Sequence, residues 1–358
     1  MSAVRRLKEL FLYAGVDKAE YDKLLPDIRK ENQGLLRMFS LLAAVMFFLL
    51  SVASMFSHGF ADINGTTYLL CGIEMLIILF CARLVLPKNP ALVTPLVYAF
   101  EITLYVFGIH ISMLHADKPA VSAVAFLLVS PLLFYDRPIR LSALITTVVA
   151  VFCGIVVRFK APDVAVSDVW NMITFGVVAI ATTVFMMSIK IRSLAQSRQI
   201  EYMGQTDLLT GAKNRNHYES RLQEYPQMCS SNLTCVYADV NGLHEMNNRD
   251  GHAAGDKMLC KVAEAMRQRF GDNHTYRIGG DEFVSFRVDG QPTELQSEID
   301  QMRQDLNRKG YYVSFGIATR DKAQGTMDMR EIVNEAEADM FALKREFYSQ
   351  SKNDRRNR

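Results

Sequence analysis

The stretch Arg277-Ile278-Gly279-Gly280-Asp281-Glu282-Phe283-Val284 decides how the C-terminal part of the chain reads. Strand-forming residues flank two consecutive glycines, which predicts a hairpin over residues 276–286 with a turn that needs positive φ. Two acids sit at the turn. Carboxylates on an exposed tip are natural ligands for Mg²⁺, which prefers hard oxygen donors and substrate phosphates. The same letters also make an ordinary Gly-Gly-Asp turn, so the stretch alone leaves function open.

Working outward, residues 234–240 are apolar and β-branched and predict a buried strand closed by Asp239. Residues 311–318 predict another strand. Residues 218–225, 254–270, 294–307 and 329–347 predict helices. The result is an α/β domain over residues 206–350, ending in a charged tail at 351–358.

Four motifs occur in order: Thr206-Asp207-Leu208-Leu209-Thr210-Gly211, then Asn214-Arg215, then the run from Tyr237 to Asp256, then the two-glycine hairpin. In this order and spacing they resemble the GGDEF family of diguanylate cyclases, from Thr206 to near Lys344. The resemblance implies an antiparallel-core sheet flanked by helices, as in nucleotide cyclases and polymerase palms. It implies condensation of two GTP into cyclic di-GMP by a homodimer, with Mg²⁺ as cofactor and Mn²⁺ as the alternative. Position by position, it makes Asp239, the Val240 backbone, Asp281 and Glu282 metal-binding, with Asp281 and Glu282 also activating the 3′-hydroxyl. Asn247 and Asp256 fall on the guanine-reading positions. Lys344 meets the triphosphate, and Gly279 and Gly280 let the backbone approach it. A carboxylate such as Asp256 can accept both the N1–H and the exocyclic amine of guanine, a donor pair that adenine lacks.

The chain departs from the family pattern in places. His244 stands where lysine is common, among the substrate-binding positions. Asn241 and Asn248 replace aspartates, and Tyr348 replaces an arginine, with Arg345 as a nearby substitute. The product-inhibition motif Arg-x-x-Asp has its form in Arg269 and Asp272 but lies one residue too far upstream. The expectation is that this inhibitory site is absent.

The preceding half is different in kind. The chain has 358 residues, 50% of them hydrophobic, with 40 basic against 38 acidic residues. That balance offers no electrostatic basis for binding a nucleic-acid polymer. Apolar runs at residues 39–56, 68–86, 92–111, 121–135, 141–157 and 169–189 predict a six-span α-helical membrane bundle. The fourth run is short and contains Pro131. Lys and Arg are dense in the N-terminal stretch, absent from the loop 58–65 and present again at Lys190, Arg192 and Arg198. This places both termini and the C-terminal domain in the cytoplasm of a bacterial inner membrane. The first run begins too late for a secretory signal peptide and reads as a retained anchor. The divisions are 1–37 (cytoplasmic), 38–189 (membrane sensor module), 190–205 (helical linker) and 206–350 (cyclase). A dimeric coiled coil and a single solvated helix stay open for the linker. Glu74 and Glu101 fall within spans two and three at similar depth. Acids in lipid are costly, and the two together predict a site for an unidentified sensory ligand, a proton or a cation. The alternative is interhelical hydrogen bonding that only fixes the packing. Six cysteines without a CxxC pair suggest neither a zinc nor a redox motif. Two alternatives stay open: a catalytically silent nucleotide receptor, and a transporter with an appended regulatory domain, although no convincing internal repeat is visible.

Overall fold

The computed structural model describes residues 3–56, 65–325 and 327–350. The loop 58–65, apart from its last residue, and the charged tail 351–358 lie outside them. The chain forms two units, Met1–Ser197 and Arg198–Arg358.

The first unit is helical. Helix α1 (Ala3–Tyr13) leads to α2 (Lys18–Ala53), capped by Asp17, whose carboxylate accepts from the Glu20 N–H at 2.8 Å. Then come α3 (Gly65–Phe80), α4 (Val93–Met113), α5 (Val121–Val129), α6 (Pro138–Phe159) and α7 (Pro162–Gln205). A π-helical turn, Cys81–Val85, follows α3, and the Ala82 carbonyl accepts from both Gln33 and Arg37 on α2.

Among the described residues, five helical stretches are long and apolar enough to cross a membrane: Val4–Ala53, Gly65–Val85, Pro90–Met113, Pro138–Phe159 and Pro162–Gln205. Phe48, Leu76, Ile102, Trp170 and Phe185 on them are exposed, which suits lipid better than water. The expected sixth span is the exception. It is 9 residues of α5 followed by a 3-residue 3₁₀ turn holding Pro131, roughly 18 Å in all against a bilayer core of about 30 Å. Helix α2 runs unbroken through residue 37, where the sequence turns from polar to apolar. The linker stripe is split: Ile191 and Leu194 pack with Ala14, Tyr21 and Leu24 of the N-terminal helices, whereas Ile200 and Met203 are exposed.

Two polar devices hold this unit together. Lys160 and Asp168 form a buried ion pair at 2.7 Å; Lys160 also donates to the Lys118 carbonyl, and Asp168 accepts from the Ala120 N–H. Every charge is hydrogen-bonded, the condition under which a buried pair is tolerated. The turn before α6 is gripped from two sides. Asn32 of α2 both donates to the Tyr135 carbonyl and accepts from its N–H, and Lys190 of α7 donates to the Leu132 carbonyl at 2.6 Å.

The second unit is α/β. It comprises β1 (Lys213–Asn214), α8 (Arg215–Arg221), α9 (Tyr225–Met228), β2 (Asn232–Asn241), α10 (Leu243–Asp250), α11 (His252–Phe270), β3 (Thr275–Arg277), β4 (Glu282–Val288), α12 (Pro292–Arg308), β5 (Tyr312–Asp321) and α13 (Met329–Gln350). The sheet order is β1-β3-β4-β2-β5. The pairings β3–β4, β4–β2 and β2–β5 are antiparallel and only β1–β3 is parallel, so the sheet is mixed around an antiparallel core. Helix α10 was not expected. Its sequence LHEMNNRD is too polar to show an apolar stripe, and it starts from Gly242 at φ 73°.

Strand alternation assigns the faces. Val236, Ala238 and Val240 of β2 join the core against α11 and α12, while Leu233, Cys235 and Tyr237 join the core against α13. Asp239, in step with Tyr237, therefore points to the α13 face. On β4, Val284 and Phe286 share that face, and so does Glu282. Helix α13 lies directly on β5 at Gly316, where an added Cβ would collide with the Ala336 carbonyl and the Met340 amide. Both obstacles are helix backbone and cannot rotate away. Replacing Gly316 with alanine is expected to lift α13 and destabilise this unit by about 3 kcal/mol, in the range of core overpacking. Denaturant unfolding of wild type and variant checks it, with Gly204→Ala, which has open space around it, as control.

Candidate active site

Asp239 stands near the end of β2, 3% exposed. Its Oδ2 accepts from the Lys344 ammonium of α13 at 2.6 Å, and its Oδ1 is buried with no hydrogen-bond partner. Directly opposite in the β2–β4 ladder is Glu282. Like charges facing each other across a ladder repel. Burial pushes the Glu282 carboxyl above its ordinary value, and the charges of Asp239 and Asp281 add to the push. Burial likewise raises Asp239, only partly offset by Lys344, with Asp281 raising it further.

The hairpin is closed by two bonds to the Glu282 carbonyl, from the N–H of Ile278 at 3.0 Å and of Gly279 at 3.4 Å. It is tied to β2 by the Val240 N–H, which donates to the Asp281 carbonyl at 3.0 Å. The expected positive φ is not found: neither Gly279 nor Gly280 lies in that region. A Cβ on Gly279 would meet the Glu282 side chain, whose carboxylate would have to move, while Gly280 has open space beside it.

Val240, Gly280 and Asp281 border a cavity of about 970 Å³ whose lining also includes His244, Asn247, Lys344, Arg345 and Tyr348; Asp239 and Glu282 stand behind it. The Tyr348 hydroxyl accepts from the Gly242 N–H at 3.3 Å, so the residue replacing an arginine buttresses the start of α10. Asn247 presses against Gly255, which has no room for a Cβ, and its Oδ1 is buried without a partner. Asp256 differs: it is exposed near the start of α11 and does not line the cavity.

Two functional residues were not assigned a role from sequence. Arg277 donates to Asp207 at 3.0 Å and to the Gly280 carbonyl at 2.6 Å, locking the hairpin tip to the Thr206–Gly211 turn. Burial acts to raise Asp207, but bonds from Thr210 and Arg277 outweigh it and hold its carboxyl below the ordinary value. The signal was present as an arginine in the hairpin motif and an acid in the first motif, but their pairing over 70 residues was not visible. Arg269 and Asp272 are not joined. Asp272 is bonded to Arg267 at 2.7 Å, two residues before the expected partner on α11.

Among the described residues no three His, Cys, Asp or Glu side chains close into a metal cage. The oxygen donors around Asp239 nevertheless suit Mg²⁺, which keeps waters and phosphates in its shell and uses one or two carboxylates. The orphaned Asp239 Oδ1 is the sign that the residues fit the ion.

Residues 204–350 match the family model described as diguanylate cyclase, GGDEF domain. Those residues form a GGDEF domain. Curated relatives include the cyclic di-GMP phosphodiesterase PdeB of Shewanella oneidensis, 31% identical over 123 residues, covering 34% of this chain and 14% of that protein. The diguanylate cyclase DgcN of Escherichia coli is 29% identical over 116 residues, covering 32% and 28%. The diguanylate cyclase TpbB of Pseudomonas aeruginosa is 32% identical over 93 residues, covering 25% and 21%. The chain thus spans less than a third of each of these relatives. Among solved structures, the coiled coil and GGDEF domain of DgcB from Caulobacter crescentus, in complex with c-di-GMP, superposes with TM-score 0.40 at 19% identity, covering 44% of this chain and 90% of that one.

The raised Glu282 carboxyl has a consequence for stability. A group raised in the folded state gives stability that is fully present below its unfolded value and is lost as pH rises through the folded one. In metal-free buffer, Glu282→Gln is expected to unfold later than wild type at neutral pH, by about 1 kcal/mol, the scale of one relieved cross-strand repulsion. The difference is expected to vanish near pH 4, where free glutamate itself protonates. Unfolding midpoints at the two pH values measure it.

Proposed function

We propose that the GGDEF domain is a diguanylate cyclase that condenses two GTP into cyclic di-GMP and two pyrophosphates. One observation carries this reading: a buried aspartate with an unpartnered oxygen, facing a second carboxylate beside a cavity lined with cationic residues. Asp239, the Val240 backbone, Asp281 and Glu282 would hold Mg²⁺, or Mn²⁺ in its place. Bound there, the ion would neutralise triphosphate charge and ease the departure of pyrophosphate.

The chain's own residues do the rest. Lys344 leaves Asp239 for the triphosphate, joined by Arg345 and His244, and the open backbone at Gly280, next to Gly279, admits the phosphates. Asn247 orients the guanine, and Asp256 turns onto its N1–H and amine edge when the base enters. Glu282, raised by burial, is suited to take the proton from the 3′-hydroxyl as that oxygen attacks the α-phosphate. Each domain holds one nucleotide, so turnover requires a homodimer. Incubating the full-length protein with GTP and Mg²⁺ is expected to yield cyclic di-GMP, and Asp239→Asn or Glu282→Gln to lower the rate at least about 100-fold, the scale of a lost general base.

A second reading is a domain that binds nucleotide without turning it over. It is favoured by Asp239 being engaged by Lys344 and by Asp256 standing outside the cavity. Nucleotide binding without product from a dimeric, folded preparation selects it.

The helical unit is placed in the bacterial inner membrane with both termini cytoplasmic, where GTP is available. This needs an even number of crossings, so the short α5 segment completes a sixth. Alkaline phosphatase inserted near residue 61 is expected to be active, and green fluorescent protein at the C-terminus to fluoresce. Active phosphatase at the C-terminus would reverse the topology.

A further inference from the structure

Within the helical unit the two acids singled out from sequence do not meet. Glu74 is exposed and accepts from the Thr103 hydroxyl at 2.7 Å. Glu101 lies two positions from Thr103 on α4, about 200° around the helix, and is fully buried. A different surface of this unit, on α1, is built to meet a partner.

Helix α1 has the sequence AVRRLKELFLY. At about 100° per residue, Val4, Leu7, Leu10 and Phe11 fall within about 120° of one another, and Arg5, Arg6, Lys8 and Glu9 take the opposite side. Its 11 residues rise roughly 17 Å, too little to cross a bilayer core of about 30 Å. Ala14 at φ 55° and Gly15 at φ 84° end the helix and re-aim the chain into α2. An apolar stripe of this width ordinarily faces a core. Here it does so only at one end. Leu10 and Phe11 are half-buried, while Leu7 is 59% and Val4 78% exposed. Arg5, Arg6 and Lys8 are exposed as well, and Arg5 pairs with Glu9 at 3.0 Å. Three basic residues against one acid make α1 net positive.

The position of α1 says what covers the stripe. The helix packs against α6. Tyr13, its last residue, lies under the Arg137 guanidinium, 5.4 Å from the ring centroid, and packs with the cluster that holds Leu141 of α6 and Ile191 of α7. A Cβ on Gly15 would meet the Arg192 guanidinium of α7. Arg137 and Arg140 directly precede the apolar run of α6, and Lys190 and Arg192 directly follow that of α7. In the membrane placement proposed above, on which this inference rests, α1 is held at the level where hydrocarbon gives way to headgroups. Ile139, at the same end of α6, is exposed too.

We propose that α1 lies in the membrane surface as an anchor for anionic lipid, with Val4 and Leu7 among the acyl chains and Arg6 and Lys8 on the headgroups. A helix with one apolar and one basic face binds bilayers in this way, and its charges have the sign that anionic headgroups attract. A bilayer is at hand wherever the bundle is embedded, so no second protein is needed to cover the stripe. The anchor ties the ends of α6 and α7, through Tyr13 and Gly15, to the lipid surface.

The test uses full-length protein in lipid nanodiscs and tryptophan emission, with lipids brominated near the top of the acyl chain as quenchers. The chain has one tryptophan, Trp170, exposed on α7, and its quenching reports whether the helical unit is embedded at all. Leu7→Trp in a Trp170→Phe background reads α1. With phosphatidylglycerol in the bilayer, Trp170 and the Leu7→Trp variant are both expected to be quenched. Arg5→Trp in the same background, about 160° around α1 from position 7, is expected to be quenched several-fold less. Adding Arg6→Gln and Lys8→Gln to Leu7→Trp is expected to weaken insertion on the order of twenty-fold, from about five-fold per basic residue at an anionic surface. Replacing phosphatidylglycerol with phosphatidylcholine is expected to weaken it likewise. Quenched Trp170 with no quenching at position 7 overturns the anchor and leaves the membrane placement standing, whereas unquenched Trp170 overturns both. Equal quenching at positions 5 and 7 also overturns the proposal, as does quenching at position 7 that ignores both lipid charge and the Arg6 and Lys8 substitutions. So does blue-shifted, unquenched emission that grows with the number of protein copies per disc, which assigns the stripe to a second copy.

Discussion

The pairing of Asp239 with Glu282 across β2 and β4 is the constraint around which the GGDEF domain is organised. Two carboxylates directly opposite in a ladder, one almost wholly buried, work against the fold. The surroundings make the arrangement tolerable. Lys344 supplies a counter-charge from α13, the Asp281 carbonyl is tied to β2, and Arg277 anchors the hairpin tip to the Asp207 turn. Each support comes from a different element, so the two acids can be held together only in the assembled domain. Local strain at a functional position, offset by distant contacts, is the general pattern of sites that bind or react.

That distribution explains what could be read in advance. Both acids were legible, because one closes an apolar strand and the other follows two glycines. The antiparallel core was implied by the family resemblance of the motifs, while the runs alone predicted only the hairpin. What escaped is what depends on packing between distant segments. Gly279 reads as a conformational glycine, yet its φ is not positive and what stands beside it is the Glu282 side chain. Gly316 carries no local signal at all, since its role is set by the backbone of α13. Tyr348 reads as a lost arginine and stands as a support for Gly242. The parallel β1 strand is only two residues long and has no period to detect.

In the helical unit, hydropathy located the helices but not their ends. Helix α2 passes through the polar-to-apolar change near residue 37 because helical hydrogen bonds do not depend on side-chain polarity. The short α5 segment ends in a proline-containing turn, and the loop after it is a meeting point. Asn32, Tyr98 and Lys190 each bond to the 132–136 segment, from α2, α4 and α7 respectively. Through Asp136 that loop also borders Glu101. A change in how Glu101 is satisfied therefore falls next to the one loop that Lys190, on the last helix of this unit, holds.

Asp239 and Glu101 pose the same physical problem in two surroundings. Both are buried carboxylates with orphaned oxygens. Asp239 has a cation bonded to it in Lys344 and faces a second acid, so its charge is partly balanced within the domain. Glu101 has no hydrogen-bond partner, and nothing bonded to it offsets an ionised carboxyl. The difference between the two sites follows from what surrounds each carboxylate, since the functional group is the same in both.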